Sequence, residues 1–271
     1  MKALVYTGTE ALELRDEPEP EAGAGRVVVE VGHCGICGSD MHAWHGHDPR
    51  RVPPLVLGHE AVGTALGGRL AGRRVAINPL ETCGACAACR GGREHLCPER
   101  ALIGLRVPGA FAERVAIAER NLTPLPDGLA EADAALAEPL AVSVHGVRLG
   151  LARLARPAAE ARAVVLGGGA IGLLAALVLR AYGVGRVSVA ERAPRRRQIV
   201  ASATGAAAYD PADRAAEERS AELVIDAVGS GATRAAASAL AAPGGTIVHV
   251  GLQDGAEGLD TRRLTLQEIA F

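Results

Sequence analysis

The chain has 271 residues and 49% of them are hydrophobic, so it can bury a core and global disorder is excluded. Its 29 basic and 31 acidic residues nearly cancel, which argues against whole-chain attraction to nucleic acid or to an anionic membrane. Aromatic residues make up only 2%, which excludes a base-stacking platform, and the lone lysine, Lys2, excludes an internal Schiff base.

The first 20 residues carry four glutamates and one aspartate without an apolar block, so they do not predict a signal peptide. The longest uncharged stretch, Ala163–Leu179, contains three consecutive glycines and predicts strand, turn and helix instead of a membrane span. Six cysteines in such a chain indicate metal or redox chemistry instead of a disulfide scaffold. We therefore expect a cytoplasmic protein that does not enter the membrane.

Short apolar runs separated by glycine and proline predict an irregular, β-rich, barrel-like domain over residues 1–150. Examples of the predicted strands are Lys2–Tyr6, Arg26–Val31, Ala61–Leu66, Arg73–Ile77 and Phe111–Ile117. All six cysteines and six of the eight histidines fall before residue 100. A helix is predicted over Glu131–Leu149, and Pro139 is expected to kink or restart it.

From residue 151 to residue 271 the pattern alternates between strand and helix, which implies a parallel sheet covered by helices. Strands are predicted at Ala163–Leu166, Arg186–Ala190, Glu222–Ala227 and Thr246–Val250. Helices are predicted at Ile171–Tyr182, Arg195–Thr204 and Thr233–Ala241. The chain is therefore expected to be an α/β protein with two domains.

A glycine-rich segment, Gly167-Gly168-Gly169-Ala170-Ile171-Gly172, fits G-x-G-x-x-G after an apolar strand and before a helix. That context favours dinucleotide binding over the alternative, a glycine turn without a ligand. Gly167 permits the tight turn, Gly169 lets a pyrophosphate approach the backbone, and Gly172 lets the helix pack on the strand. The helix N-terminus would supply N–H donors to the phosphates.

Glu191 ends the second predicted strand, where its carboxylate can accept hydrogen bonds from ribose hydroxyls and repel a 2′-phosphate. This favours NAD over NADP, although Arg192 and Arg195–Arg197 oppose it because arginines bind such a phosphate. Val228 and Val250 lie at the ends of later predicted strands, at the same edge of the sheet, where backbone contacts to the cofactor are expected.

Four cysteines, at positions 83, 86, 89 and 97, have the spacing C-x2-C-x2-C-x7-C in a lobe over about residues 80–100. Four thiolates this close can surround Zn²⁺ tetrahedrally in a closed structural site. The alternatives are a redox centre or unrelated buried cysteines. The density of cysteine favours zinc.

A second C-x2-C, Cys34 and Cys37, is followed at once by Gly38-Ser39-Asp40-Met41-His42 and then by Gly58-His59-Glu60. Cys37, His59 and a carboxylate would form a three-ligand zinc site with an open position, the catalytic type. Cys34 is then left over and is interpreted as a small buried residue.

Together these motifs resemble the zinc-dependent medium-chain dehydrogenases, the superfamily of alcohol, sorbitol and threonine dehydrogenases. The likeness rests on Cys37–His42, Gly58–Glu60, the four-cysteine lobe, Glu138-Pro139-Leu140, and the glycine loop with Glu191. It implies a GroES-like catalytic domain followed by a Rossmann domain, two zinc ions per chain, and NAD. The implied activity is hydride transfer between NAD and a secondary alcohol or polyol.

The resemblance also assigns roles to single residues. Cys37 and His59 match the catalytic zinc ligands, and Glu60 matches the carboxylate that ligates or approaches that zinc. Glu138 matches the third-ligand position of the sorbitol-dehydrogenase-like branch and would bind directly or through water. Asp40 matches a carboxylate that orients His59. A further two positions, Ser39 and His42, match the proton relay.

Two departures from the family matter. Ala43 follows His42, where polyol-oxidising relatives often place an aromatic residue, and Trp44 comes one position later. Gln267–Phe271 is predicted to begin a sixth Rossmann strand, so we expect a truncated form of a longer parent, itself a homodimer or homotetramer. One alternative is an inactive fragment that binds zinc and cofactor. A second is a zinc-stabilised nucleic-acid-binding module that uses the cysteine lobe. Arg90 and Arg93 lie in that lobe without aromatic neighbours, so support for the second alternative is poor.

Overall fold

The computed structural model describes residues 1–213, 217–253, 255 and 257–271. It divides into two compact units, Met1–Glu138 and Pro139–Phe271. The division comes earlier than the predicted boundary at residue 150, because the long helix that starts at Ala137 belongs almost wholly to the second unit. Glycines on its buried face, Gly146 and Gly150, let it approach the side chains of Val248 and Leu223.

The first unit is built mostly of short strands. These are β1 (Lys2–Gly8), β2 (Ala11–Asp16), β3 (Arg26–Gly35), β4 (Leu55–Val56), β5 (Glu60–Ala65), β6 (Arg74–Ile77), β7 (Leu80–Glu81), β8 (Ala101–Leu102), β9 (Arg114–Ala118) and β10 (Leu122–Pro124). Its helices are α1 (Gly38–Trp44), α2 (Ala87–Arg90) and α3 (Glu131–Ala134).

The largest sheet of this unit has the order β10-β6-β5-β3-β9 and its paired strands are antiparallel. Aliphatic side chains from β3, β5, β6 and β9 form its core, with Val29, Val75 and Ile117 fully buried. Two smaller sheets, β2-β1-β4 and β7-β8, complete the unit. The predicted β-rich barrel-like domain is confirmed, and β5 carries the site residue Glu60 at its first position.

The second unit alternates helix and strand as predicted. Its elements are α4 (Ala137–Leu151), β11 (Arg162–Leu166), α5 (Ala170–Ala181), β12 (Arg186–Ala190), α6 (Pro194–Thr204), β13 (Ala207–Tyr209), β14 (Ala221–Asp226), α7 (Gly231–Leu240), β15 (Ala241–His249) and α8 (Thr261–Leu266). The sheet order is β13-β12-β11-β14-β15, and each neighbouring pair is parallel. This is a Rossmann arrangement, with apolar cores on both faces of the sheet.

Gln267–Phe271 is predicted to begin a strand, and in the structure one of its residues, Ala270, joins the sheet. Ala270 forms a parallel bridge to Thr246 beside β15, and its carbonyl accepts a hydrogen bond from Ile247 N at 2.8 Å. Among the described residues, no helix is both long enough and apolar enough to cross a bilayer.

Candidate metal and cofactor sites

The four-cysteine lobe brings its thiols together. The Sγ atoms of Cys83, Cys86, Cys89 and Cys97 all lie within 4.8 Å of one another, and all four cysteines are free thiols. Cys86 and Cys89 are 3.5 Å apart, Cys97 and Cys83 3.6 Å, and Cys83 and Cys89 4.0 Å. Four sulfurs around Zn²⁺ at about 2.3 Å would be separated by about 3.8 Å. The lobe therefore fits a tetrahedral zinc ion.

The backbone of the lobe is arranged to stabilise thiolates. Ala85 N and Cys86 N donate hydrogen bonds to Cys83 Sγ at 3.5 and 3.3 Å. These donors lower the pKa of Cys83 to about 7. Because the metal ligand is the thiolate, a lowered pKa prepares this cysteine for metal binding. Strands β7 and β8 pair antiparallel on either side of the lobe in sequence and close it at its base.

The second cluster joins two segments of the first unit. Cys37 is the N-cap of α1, and His59 immediately precedes β5. One ligand atom from each of Cys37, His59 and Glu60 lies within 4.8 Å of the others. His59 and Glu60 are 4% and 8% exposed, so the cluster is largely withdrawn from water. Cys34, the other half of the C-x2-C, lies outside this group, and burial raises the pKa of its thiol to about 12.

Asp40, which is 3% exposed, contacts both segments. Its Oδ2 accepts a hydrogen bond from Cys37 N at 3.0 Å, and its Oδ1 accepts one from Gly58 N at 3.4 Å. Oδ1 also lies 3.5 Å from His59 Nδ1. Gly58 has φ of +90°, and a side chain there would collide with the ring of Phe111. The carboxylate and the glycine together set where the imidazole stands.

His59 shows how well the cluster suits a cation. Burial lowers the pKa of His59, but the side chains of Asp40 and Cys37 outweigh it and raise the pKa to about 10. Its buried Nδ1 has no hydrogen-bond partner within the described parts of the chain. A buried imidazole, a thiol and a carboxylate are the donor set of catalytic zinc sites, so the residues present fit Zn²⁺.

The two candidate carboxylates differ in placement. Glu60 is in the converging group, whereas Glu138, half-buried at the start of α4, is outside it. Burial raises the pKa of Glu60. Burial also raises the pKa of Glu138, where His59 opposes the shift and Glu60 and Asp40 add to it. Glu138 therefore lies close enough to the cluster to sense its charges.

The relay positions lie on α1. Ser39 and His42 are three residues apart on this helix, a spacing that puts their side chains on one face. The Ser39 hydroxyl accepts a hydrogen bond from Arg51 Nη2 at 3.1 Å. Neither Arg51 nor its partner Asp48, both buried, was predicted from the sequence. No spacing pattern could have shown them, because Arg51 also reaches Gly104, which is far away in sequence.

The glycine loop of the second unit has the geometry that dinucleotide binding requires. Gly167 has φ of +96°, and a Cβ at Gly172 would collide with the Gly167 carbonyl. At Gly169, the N-cap of α5, an added Cβ would meet no described atom within 4 Å. The loop therefore leaves open space at the one glycine whose backbone a pyrophosphate must approach, and Ile171 lies in the first turn of the helix behind it.

Glu191 closes the loop from the end of β12. It is 8% exposed, and its Oε2 and Oε1 accept hydrogen bonds from Gly168 N at 2.7 Å and Ala193 N at 2.8 Å. Arg197 is engaged nearby, donating to the carbonyls of Glu191 and Arg192 and to Asp210. One of the arginines that opposed the NAD prediction is thus turned toward its own loop, whereas Arg192, Arg195 and Arg196 remain exposed.

Val228 and Val250 follow β14 and β15 at the same edge of the sheet. Val228 N donates to buried Asp226 Oδ1 at 3.1 Å, and Val250 N donates to Asp226 O at 2.9 Å. The sequence predicted no role for His249, and its Nδ1 atom lies 3.2 Å from Asp226 Oδ2. A Cβ at Gly167 would collide with Val228, so this loop borders the glycine turn. One aspartate therefore fixes both loops.

Comparison with known proteins agrees with this geometry. The model of the alcohol dehydrogenase GroES-like domain matches residues 23–127, and that of the zinc-binding dehydrogenases matches residues 170–271. The chain is 36% identical over 269 residues to L-galactonate-5-dehydrogenase from Escherichia coli (strain K12), covering 94% of this chain and 77% of that protein.

A second relative, 2-dehydro-3-deoxy-L-galactonate 5-dehydrogenase from Pseudoalteromonas atlantica, is 36% identical over 220 residues, which cover 79% of this chain and 62% of the relative. The chain thus spans between three fifths and four fifths of the curated relatives described here. An alcohol dehydrogenase from Escherichia coli CFT073, solved with NADH, superimposes with a TM-score of 0.88 at 28% identity, over 100% of this chain and 82% of that one. The chain belongs to the zinc-dependent medium-chain dehydrogenase superfamily.

Proposed function

We propose that the chain catalyses the NAD-linked oxidation of a secondary hydroxyl in an alcohol or polyol at a zinc site formed by Cys37, His59 and Glu60. The observation that carries this proposal is the convergence of those three ligand atoms within 4.8 Å of one another. A three-ligand site leaves a position for substrate, whereas the closed four-cysteine lobe does not. The two clusters therefore have different roles, catalytic and structural.

Each bound group would supply one part of the chemistry. Zn²⁺ would supply a Lewis acid that makes the substrate hydroxyl more acidic, and NAD would supply the hydride acceptor. Asp40 orients the His59 imidazole and holds the Cys37 backbone, so the ligand geometry is fixed before substrate arrives. The glycine loop and Glu191 would hold the pyrophosphate and the adenosine ribose.

Ser39 and His42 would carry the proton. The Ser39 hydroxyl accepts the proton of the substrate hydroxyl and gives up its own, and His42 passes the charge toward solvent. His42 is half-buried, so it can reach water while Ser39 stays close to the cluster. The protein residues thus move one proton, and bound NAD would supply the acceptor for the hydride, which balances the two-electron oxidation.

We assign the third ligand to Glu60 and an accessory position to Glu138. Glu60 stands in the converging group, and Glu138 does not. Glu138 interacts electrostatically with His59 and Glu60, so it stands near enough to the cluster to exchange with Glu60 or to hold a water molecule there.

The substrate class follows from the relatives. The two curated relatives are named for oxidation at C5 of sugar acids, which are polyhydroxy compounds. Ala43 stands where the family resemblance implies an aromatic residue in polyol-oxidising members, and it is buried in a core cluster with Tyr6, Leu55 and Leu57. We therefore extend the proposal to polyols and sugar acids with a secondary hydroxyl.

The test is a screen of secondary alcohols, polyols and sugar acids in which NADH absorbance is followed. Turnover is expected with at least one class, and Cys37→Ser should abolish it while leaving zinc in the four-cysteine lobe. A chain that binds NAD and two zinc ions yet turns over no substrate would support the inactive-fragment alternative instead. Turnover that survives Cys37→Ser would contradict the assigned metal site.

We also place the protein in the cytoplasm and expect a homodimer or homotetramer. The support for the location is the set of six free thiols. Light scattering of the purified chain tests the assembly state.

A further inference from the structure

A buried arginine stands behind the proposed proton relay. Arg51 is 3% exposed, and each part of its guanidinium group has a fixed partner. Nε donates to Gly104 O at 2.8 Å, Nη1 donates to Asp48 Oδ2 at 2.6 Å, and Nη2 donates to Ser39 Oγ at 3.1 Å. Because the guanidinium is planar, these three contacts fix its position and its orientation.

The contact with Ser39 restricts what that hydroxyl can do. A guanidinium N–H can only donate, so Ser39 Oγ must accept from Arg51 with one lone pair. One lone pair and one hydrogen then remain on Ser39. These are the two functions that a relay needs, since it must accept a proton from one side and donate a proton to the other.

The charge of Arg51 also bears on the neighbouring carboxylates. Arg51 Nη2 lies 3.9 Å from Asp40 Oδ1, the atom that faces His59 Nδ1. Asp48, itself 8% exposed, compensates for burying the guanidinium, so the cation is paired rather than isolated. Its sequence neighbour Arg50 contacts the same Asp48 with a side chain that is 60% exposed. The two adjacent arginines therefore share a partner, and Arg51 also contacts the relay residue Ser39.

We propose that Arg51 is a positioning residue that orients the Ser39 hydroxyl for proton transfer. This inference rests on the proposed function. In the oxidation, the substrate O–H bond breaks and its proton forms a new bond to Ser39 Oγ, while the original Ser39 proton leaves to the next acceptor. Bound NAD would supply the acceptor for the hydride released from the carbinol C–H bond. Arg51 neither gains nor loses a proton in this sequence.

A double-mutant cycle separates positioning from general support of the fold. Arg51→Gln should lower kcat by about 10-fold to 100-fold with little change in KM, because the hydroxyl loses its orientation and not its place. In a Ser39→Ala background the same substitution should lower kcat by less than about threefold, because the group it positions is already gone. An equal fold-loss of kcat on Arg51→Gln in the parent and in the Ser39→Ala background would overturn the proposal.

The cycle is repeated on the unfolding equilibrium in urea, together with zinc content per chain, so that the contact is tested without turnover. We expect Arg51→Gln and Ser39→Ala to be coupled by roughly fivefold in the unfolding constant, with two zinc ions retained in each variant. Additive effects of the two substitutions on the unfolding constant would contradict an interaction between Arg51 and Ser39. If the parent chain oxidises no substrate, the proposed function fails, and this cycle still decides whether Arg51 holds Ser39.

Arg50→Gln is the matched control, since it removes a neighbouring arginine from the same Asp48 and should leave kcat unchanged in both backgrounds.

Arg51→Lys covers the case in which Arg51→Gln does not fold. A lysine keeps the charge beside Asp48 but has no fork to reach Ser39 and Gly104 together, so it should restore stability and leave kcat reduced. Full recovery of kcat by lysine would show that charge alone matters and would overturn the positioning role.

Discussion

Glu191 combines two tasks in one side chain. Its carboxylate accepts hydrogen bonds from Gly168 N and Ala193 N, and it stands where the ribose of the cofactor would lie. Replacing Glu191 with serine should therefore weaken NAD binding by about tenfold and move the preference toward NADP, since a 2′-phosphate would no longer meet a carboxylate. Titration calorimetry with both cofactors measures the change.

Glu217→Ser serves as the control, because Glu217 is an exposed carboxylate of the same unit that pairs with Arg162. It should leave both affinities unchanged. If the parent chain binds NADP at least as tightly as NAD, the role assigned to Glu191 is wrong.

Asp48 provides a pH-dependent prediction. The Arg50 side chain donates to it and lowers the pKa of Asp48 to about 2, against the opposing effect of burial, and the charge of Arg51 adds to the shift. Because the folded pKa lies below the unfolded value of about 3.9, the ionised carboxylate stabilises the fold above pH 4, by about 2 kcal/mol. That contribution should fall by about half at pH 3 and vanish below pH 2.

Urea unfolding of the parent chain and of Asp48→Asn, at pH values from 7 to 3, measures this. The difference in unfolding free energy should narrow as pH falls. Asp127→Asn, at an exposed position, should show no such trend. A difference that stays constant down to pH 3 would mean that packing, not charge, explains the loss.

At the scale of elements, the four-cysteine lobe contains only the short helix α2 and the two-residue strands β7 and β8. Such short elements cannot nucleate alone, so the metal must hold the lobe together. Cys97→Ser should remove one zinc ion per chain and make the segment between Cys83 and Cys97 sensitive to protease. Cys34→Ser, outside both ligand groups, should retain two zinc ions and protease resistance. A Cys97→Ser variant that keeps two zinc ions would contradict the tetrahedral site.

The elements that the sequence predicted are those with a local signal. The alternating runs of the second unit identified β11, β12 and β14 to within a residue, because buried parallel strands are continuous apolar segments. Strands β2 and β13 are among those for which no run was predicted. Ala11–Asp16 lies mostly exposed at a sheet edge, and Ala207–Tyr209 has three residues, so neither has the apolar pattern of a core strand. Pairing with a neighbour, not local preference, makes them strands.

Two further differences have local causes. The predicted helix over 131–149 divides into α3 and α4, and the break lies just ahead of Pro139. A proline ring is accommodated in the first turn of a helix, which is where Pro139 lies in α4. Strand β15 starts at Ala241 and not at Thr246, because it runs through Pro243 and two glycines with an irregular register against β14. Proline and glycine signal a turn in sequence, whereas a bulged edge strand accepts both.

At the scale of the molecule, both clusters of candidate metal ligands could be predicted to converge because each uses a short, dense motif. Cys37, His59 and Glu60 come from two segments, and the spacing alone did not choose between Glu60 and Glu138. The groups that support the site, Arg51 and Asp48, had no motif, since they act through contacts across the fold. Sequence patterns therefore identified the converging side chains more fully than the residues that hold them in place.

The two clusters together predict two zinc ions per chain that differ in lability. Four cysteines converge in one cluster and three ligand residues in the other. Four ligands would enclose their ion, whereas three would leave an open side, so a chelator could approach the second ion more easily. A chelator should therefore remove the Cys37, His59 and Glu60 metal first and abolish turnover before circular dichroism shows loss of structure. Elemental analysis of freshly purified, reduced protein, repeated during timed chelation, measures both ions. The control is Cys37→Ser, which should begin with one zinc ion and lose structure at the same chelator concentration as the parent. One zinc ion or none in the untreated parent chain, or loss of the lobe metal before the other, would contradict this assignment of the two clusters.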